Sequence, residues 1–163
     1  MIVQYYKPNS KNTGCAFSFD IGANRKNQEP CVYVRAIKQY SWDASKRTGS
    51  FSANAKNPEK SISIKLNEIE IGGFIHAIEK YKDFSAFHSY EDNKTSILFK
   101  PYTKKDGTNA FSFGVTRNSS NKFGIGVEMS EAYGLLEFLK FSLQELYMHR
   151  LDSNQKQRNS THE

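Results

Sequence analysis

Basic and aromatic side chains alternate along several extended stretches of this sequence. Tyr33 and Arg35 alternate with apolar residues, and the run then continues toward a basic loop. Cations interleaved with rings suit a single-stranded nucleic acid, because charges follow the phosphates and ring faces stack on unpaired bases of any sequence. The candidate binding residues on these stretches are Tyr33, Arg35, Lys38, Tyr40, Trp42, Lys46, Arg47, Lys65, Lys100, Tyr102, Lys104, Lys105, Arg117 and Lys122.

The charge balance of the whole chain points the same way. Lys and Arg total 23 against 17 for Asp and Glu, which leaves a net charge of +6. Aromatic residues make up 13% of the 163 residues. A basic protein attracts polyanions. The alternative is a solvated basic face whose rings pack across neighbouring strands, and each candidate taken singly fits that role, so the nucleic-acid interpretation depends on the set.

No spacing in the sequence indicates a catalytic or metal centre. The four histidines and two cysteines are scattered, with no metal-ligand spacing, no phosphate loop and no nucleophile elbow. Glu128 and Glu131 could be imagined as a metal pair of a nuclease. A strand-end charge and an acid in the first turn of a helix account for them more simply. We therefore expect a non-enzymatic protein without metal or cofactor.

Composition also bears on the compartment. No apolar run approaches the roughly 18 residues of a membrane span, and the start of the sequence lacks a secretory pattern. Two cysteines, Cys15 and Cys31, suit a reducing compartment, although their number leaves a single disulfide open. These features predict a cytoplasmic location, with the nucleus as the alternative, and no membrane partner.

Period-two alternation predicts four strands in the first half of the chain. A polar stretch over 41–60 predicts a long hairpin tip, with Phe51 in a short strand extension. Asn67 and Glu70 have the spacing of a capping box, and apolar spacing predicts a helix over 68–82, in which Gly72 and Gly73 indicate close packing. The strands are Ile2–Lys7, Cys15–Ile21, Cys31–Tyr40 and Ser61–Leu66, with Phe17, Phe19, Ile21, Val32, Val34, Ala36, Ile62, Ile64 and Leu66 on the core face.

The same pattern then repeats. Ser130 is predicted to cap a second helix with an apolar stripe. The chain therefore predicts an α+β fold of two ββββα repeats, antiparallel sheets backed by helices, as one domain over 1–151 with halves 1–82 and 83–151. The apolar-free segment 152–163 predicts a disordered tail. The strands of the second repeat are Phe84–Tyr90, Thr95–Tyr102, Ala110–Asn118 and Lys122–Met129, and the stripe is Ala132, Leu135, Leu136, Leu139, Leu143, Leu146 and Tyr147.

Two segments of the first half resemble a known family. The stretch CVYVRAIKQYSWD, and after it EKSISIKLNEIEIGGFIHAIEKY, is similar to the C-terminal domain of the positive cofactor four (p15) transcriptional coactivators, over about residues 14–82. The doubled layout resembles the Whirly proteins and the mitochondrial guide-RNA-binding proteins. The resemblance implies single-stranded DNA binding on β-hairpins, with Lys38, Tyr40 and Trp42 at the basic, aromatic strand end and with Lys56 and Lys60 before the isoleucine strand.

The chain also departs from these relatives. The plant Whirly KGKAAL-type motif is missing, as is the serine-rich acidic region of the eukaryotic coactivators. Bacteriophages encode stand-alone members of the fold, a setting that suits this chain and would place it in the host cytoplasm. We therefore expect a sequence-independent single-stranded DNA-binding protein of replication, recombination or repair. A transcription coactivator-like or RNA-binding factor is the first alternative, and a nuclease or protein-interaction module the second.

Two rings of the second helix predict self-association. Phe138 and Phe141 lie off the predicted apolar stripe and would expose apolar area in a monomer. Related coactivators dimerise through their helices, so we expect a homo-oligomer, either a dimer or a larger closed assembly, with Phe138 and Phe141 in its interface. Pairing of the two repeats within one chain is the alternative use of these rings.

Overall fold

The first half of the chain forms six strands and one helix. The structure is a computed structural model that describes residues 1–160. The four predicted strands are all present, and a short hairpin and a 3-10 turn (Ser52–Asn54) lie between the third and the last of them. The elements are β1 (Ile2–Lys7), β2 (Cys15–Ala23), β3 (Pro30–Lys38), β4 (Ser41–Asp43), β5 (Thr48–Ser50), β6 (Ser61–Leu66) and α1 (Glu68–Lys80).

The second half repeats the arrangement without the extra hairpin. Its elements are β7 (Phe84–Tyr90), β8 (Asn93–Thr103), β9 (Asn109–Arg117), β10 (Asn121–Glu128) and α2 (Met129–Ser160). The strands pair in the orders β1-β2-β3-β6 and β10-β9-β8-β7, so each half is a four-stranded antiparallel meander followed by a helix. The predicted α+β class and the ββββα pattern are confirmed. No helix in the described part of the chain is long and apolar enough to cross a membrane.

The core lies between the two sheets and the helices. Phe19, Phe74 and Phe113 are fully buried and belong to the first sheet, α1 and the second sheet respectively. The ring centroids of Phe19 and Phe113 are 5.6 Å apart, and those of Phe74 and Phe113 are 5.4 Å apart. Burial of each such ring contributes on the order of 1.5–3 kcal/mol. The two halves therefore share one hydrophobic core, and the other face of each sheet points away from it.

Helix α1 begins as the capping spacing predicts. The Glu70 amide donates to Asn67 Oδ1 at 2.9 Å, and the Asn67 amide donates to Glu70 Oε2 at 2.9 Å. The prediction of close packing is confirmed for Gly73, where a Cβ would lie 2.2 Å from the Phe84 ring. It is wrong for Gly72, where a Cβ would meet nothing within 4 Å. The helix ends at Lys80, because the next residue adopts a left-handed conformation.

Helix α2 corrects the prediction for Phe138. This ring is only 4% exposed and belongs to the core, whereas Phe141 is 40% exposed. The buried face is wider than the predicted stripe because α2 packs against α1 as well as against β3, β9 and β10, and Ser142 is buried as well. Tyr147, which was assigned to the stripe, is 47% exposed. Phe138 therefore offers almost no surface to a second copy of the folded chain, and Phe141 is the ring that does.

The end of α2 corrects the predicted tail. Residues 152–160 are helical, although 152–163 was predicted to be disordered. Polar residues such as Gln155 and Lys156 propagate a helix at little cost once it is nucleated, so no apolar stripe is needed there. The remaining residues of the predicted tail, 161–163, lie outside the described residues. At the other end, α2 begins at Met129, so the predicted cap Ser130 lies within the helix.

Candidate nucleic-acid interface

The first outer face consists of the side chains of β1, β2, β3 and β6 that point away from the core. Tyr33 and Lys65 are cross-strand partners on this face, and Arg35 lies in the next row between Ser18 and Ser63. Arg35 and Lys65 are exposed, and Tyr33 is half-buried. Alternation along β3 and β6 places these three candidate residues together, because side chains two apart share one face of a strand.

The second surface is the hairpin formed by β4 and β5. Trp42 lies opposite Gly49 in this hairpin and is half-buried. Tyr40, the residue before β4, is 56% exposed. Lys46 and Arg47 occupy the turn and are exposed. The hairpin therefore presents a ring at its base and two cations at its tip.

The one carboxylate of the hairpin is held within its turn. Asp43 Oδ1 accepts hydrogen bonds from the Ser45 hydroxyl at 2.7 Å and from the amides of Ser45 and Lys46 at 2.9 and 3.0 Å. The hydrogen bond from Ser45 is the main cause that holds the pKa of the Asp43 carboxyl below its usual range. The carboxylate thus stabilises the turn, and the cations of the tip stay free of it.

Gln39 anchors the base of the hairpin, a role that the sequence pattern does not predict. Its side chain is 5% exposed, and its Oε1 accepts hydrogen bonds from the amides of Asn9 and Gly14 at 2.9 and 3.2 Å. Its Nε2 donates to the carbonyls of Asn9 and Ser41, both at 3.0 Å. Gly49 packs on it so closely that a Cβ would lie 2.9 Å from Nε2. A polar residue at the end of an alternating strand is the only sequence signal for this role.

A cleft of about 380 Å³ lies where the two halves meet, and we call it the seam cleft. It brings together four of the candidate residues, three cations and one ring, from β3, the segments beside it and the start of β10. No acidic residue lines it. Its lining residues are Asn12, Thr13, Gly14, Cys15, Lys38, Gln39, Tyr40, Asn54, Lys60 and Lys122.

Lys38 differs from the sequence expectation. Its Nζ donates to Asn121 Oδ1 at 2.6 Å and lies 5.0 Å from the centre of the Phe123 ring. Its side chain points to the core side of the sheet, because Lys38 lies two residues after the buried Ala36 and three after the exposed Arg35. Lys38 therefore connects the two halves of the protein. It is half-buried and lines the seam cleft, and it does not lie on an outer face of the sheet.

Arg117 also connects the halves. Its Nη1 donates to the Pro58 carbonyl at 3.3 Å, and Asn121 Nδ2 donates to the Glu59 carbonyl at 2.9 Å. These bonds fix the loop before β6 against the turn between β9 and β10. Lys56 and Lys60 of the same loop are exposed. The lysines thus reach solvent from a loop that the second half holds in place.

The second outer face consists of the outward side chains of β7 to β10. It carries Lys100, Tyr102 and Lys122, all exposed, and Lys122 also lines the seam cleft. Gly114 and Gly124 are cross-strand partners here, so the face is flat between its cations. Within these four strands Glu128, at the end of β10, is the only acidic residue at an outward position. The seam cleft and this face therefore form a continuous basic surface through Lys122.

Lys104 is less available than the sequence suggests. Its Nζ donates to Glu128 Oε2 at 2.9 Å, and this hydrogen bond is the main cause that raises the pKa of Lys104. Lys105 beside it is exposed. Glu131 lies in the first turn of α2, where its carboxylate accepts hydrogen bonds from Lys7 Nζ at 2.6 Å and from the Glu128 amide at 2.8 Å. Glu128 and Glu131 thus have the structural roles that the sequence favoured.

Cys15 and Cys31 are free and far apart in the first sheet. Cys15 pairs with Lys38, whereas Cys31 pairs with Gly22, seven residues further along β2. Seven residues span about 23 Å of strand, and the two thiols point to opposite faces of the sheet. A disulfide between them is therefore excluded in this fold. Burial raises the pKa of the Cys15 thiol, so it is a poor nucleophile.

Comparisons with known proteins identify the fold. No protein-family profile and no curated protein sequence matches the chain. The crystal structure of WHY1 from Arabidopsis thaliana matches all of this chain and 94% of that chain, with a TM-score of 0.63 and 13% sequence identity. At this identity the similarity establishes the architecture alone. The chain therefore has a Whirly-like fold of two ββββα halves.

Proposed function

We propose that this protein binds single-stranded DNA without sequence preference and without a catalytic step. The main support for this proposal is the continuous basic and aromatic surface formed by the hairpin, the seam cleft and the second outer face. Lys60 and Lys122 lie within one cleft that no carboxylate lines. Tyr40 lines the same cleft and Tyr102 lies on the adjoining face. Such a surface can neutralise phosphates and stack on unpaired bases along one strand.

A role in DNA replication, recombination or repair is part of the proposal. The resemblance of residues 14–82 to positive cofactor four domains and the Whirly-like fold support it, because the resemblance implies binding of single strands. Ring faces such as that of Tyr40 suit a single strand better than a duplex, because the bases of a duplex are already stacked on one another. A cytoplasmic protein, as the sequence suggests, would meet such strands during copying or exchange of DNA.

Competition binding tests the proposed ligand. A labelled thymidine oligonucleotide of about 20 nucleotides is bound at 50 mM salt and displaced by single-stranded DNA, duplex DNA or RNA of the same length, with polarisation as the readout. We expect single-stranded DNA to compete at least tenfold better than duplex. Preference for RNA would favour the RNA-binding alternative, and no binding to any oligonucleotide would contradict the proposal.

The salt dependence tests the proposed surface. Log affinity for a single strand falls by about 0.7 per neutralised phosphate for each unit of log salt concentration. Lys60→Ala with Lys122→Ala removes two of these contacts and should therefore reduce the slope by about 1.4 and weaken binding at low salt. The matched control is Lys26→Ala with Lys82→Ala, which removes two exposed lysines outside this surface. If both double variants change the slope and the affinity equally, the seam cleft is not part of the binding site.

A further inference from the structure

A separate pocket lies between the first outer face and the hairpin, outside the seam cleft and the second outer face. It has a volume of about 330 Å³. We call it the ring pocket, because the rings of Tyr6 and Phe51 meet at its edge with centroids 5.7 Å apart. Its lining residues are Gln4, Tyr6, Ala16, Phe17, Ser18, Arg35, Ile37, Gly49, Ser50, Phe51 and Ser52.

The walls of the ring pocket are set by the fold. Tyr6, Ala16 and Ile37 form one cross-strand row of the outer face, and Gln4, Ser18 and Arg35 form the next. The other wall is the second strand of the hairpin with Phe51. Phe51 is 7% exposed, while Tyr6 is 56% exposed. The pocket therefore has one buried ring in its wall and one ring whose surface is open to a ligand.

The only charge in the lining of the pocket is positive. Arg35 is its only charged lining residue, and none of the lining residues is acidic. Within the described residues no carboxylate pairs with the Arg35 guanidinium. Ser18 and Gln4 add a hydroxyl and an amide that can donate and accept hydrogen bonds. An exposed, unpaired guanidinium beside two rings fits a planar heterocycle that carries a negative charge next to it.

We propose that the ring pocket takes one nucleobase of the bound single strand. The base lies against the Tyr6 ring and above the small Ala16 side chain, and Arg35 contacts the adjacent phosphate. A base turned out of a strand is recognised in this way, by stacking on a ring and by hydrogen bonds to its edge. This proposal rests on the proposed function and extends it to Tyr6 and Phe51, which the alternation of basic and aromatic residues did not include.

A double-mutant cycle between protein and ligand tests the proposal. Binding of wild-type protein and Tyr6→Ala is measured with a thymidine oligonucleotide of about ten nucleotides and with its fully abasic counterpart. We expect Tyr6→Ala to weaken binding of the thymidine strand about tenfold and to leave binding of the abasic strand unchanged. The slope of affinity against salt should not change, because no charge is removed. The control Tyr90→Ala removes a tyrosine that is 74% exposed at the end of β7.

A second variant fills the pocket and leaves both rings in place. Ser18→Leu should weaken binding of the thymidine strand to a similar extent, with a circular dichroism spectrum like that of the wild type. Equal loss for thymidine and abasic strands in Tyr6→Ala, or full affinity in both variants, would overturn the ring pocket while the proposed function stands. If the wild-type protein binds no single strand at 50 mM salt, the proposed function fails as well.

Discussion

At the scale of single residues, Trp42 carries the clearest prediction. It is half-buried on the three-residue strand β4, two residues after the exposed Tyr40. Trp42→Ala should weaken binding of a single strand by roughly 1 to 3 kcal/mol, because a base loses its stacking partner. Trp42→Phe should recover most of that affinity, since it keeps a ring face. Polarisation titrations of the three proteins give the comparison.

A contrary result would assign Trp42 to packing. In that case Trp42→Ala would lower the melting temperature strongly and leave the affinity for single strands intact. Measurement of both quantities on the same samples separates the two roles, because the ring can contribute to the hairpin, to the ligand or to both.

At the scale of elements, the hairpin depends on Gln39. Gln39→Ala leaves the amides of Asn9 and Gly14 without their acceptor, and a buried unsatisfied group costs about 1–3 kcal/mol. We expect the free energy of unfolding in urea to fall by about that amount, together with weaker binding because the hairpin and the seam cleft lose their common support. Gln144→Ala, at an exposed position of α2, is the control and should change little. A variant as stable as the wild type would show that water replaces the Gln39 amide.

The contact between the two helices should depend on pH. Lys140 Nζ lies 2.9 Å from Glu79 Oε1, and the hydrogen bond from Lys140 is the main cause that lowers the pKa of the Glu79 carboxyl. A lowered carboxyl pKa stabilises the fold above the ordinary value near 4.3, and this contribution is lost as pH falls through the folded value. Lys140→Met should therefore be less stable than the wild type at pH 7, and the difference should shrink below about pH 4.

Urea midpoints at pH 7, 5 and 3 measure this effect. Lys82→Met serves as the control, because Lys82 is exposed just after α1 and makes no ion pair within the described residues. Lys140→Met also removes the ion pair with Glu137, whose Oε1 lies 3.7 Å from Lys140 Nζ. A difference between wild type and Lys140→Met that stays constant from pH 7 to pH 3 would contradict the assigned role of the pair.

At the scale of the whole molecule, self-association remains a proposal, now without Phe138. The solvent side of α2 carries several apolar side chains, and an exposed apolar patch on a helix marks an interaction surface. Phe141→Ser with Met148→Ser should shift the mass at tens of micromolar toward the 18.7 kDa of one chain. The patch consists of Tyr133, Phe141, Tyr147, Met148 and Leu151, each at least 40% exposed.

Sedimentation of the unmodified protein decides whether the patch joins copies of this chain. A wild-type protein that sediments as a monomer at tens of micromolar would contradict self-association. The matched control is Phe87→Ser with Tyr90→Ser, which removes two exposed rings of β7 outside α2 and should leave the mass unchanged.

Local sequence pattern determined the elements of this protein. Alternation along β3 and β6 predicted the core face that includes Val34 and Ile64, and the spacing of Asn67 and Glu70 predicted the start of α1. These features depend on neighbours within a few residues, where strand parity and helix capping act. The outward placement of Arg35 and Lys65 follows from the same alternation of side chains between the two faces of a strand.

Tertiary contacts decided what the local pattern could not. Lys38 was assigned to the binding surface, yet its partner Asn121 lies 83 residues away in the other half. Phe138 looked exposed because a single helix does not show how widely its neighbours cover it. Gln39, and the meeting of Tyr6 with Phe51, likewise depend on loops that fold back onto the sheet. Long-range packing sets the surroundings of such side chains, because hydrophobic contact has no direction and no sequence spacing of its own.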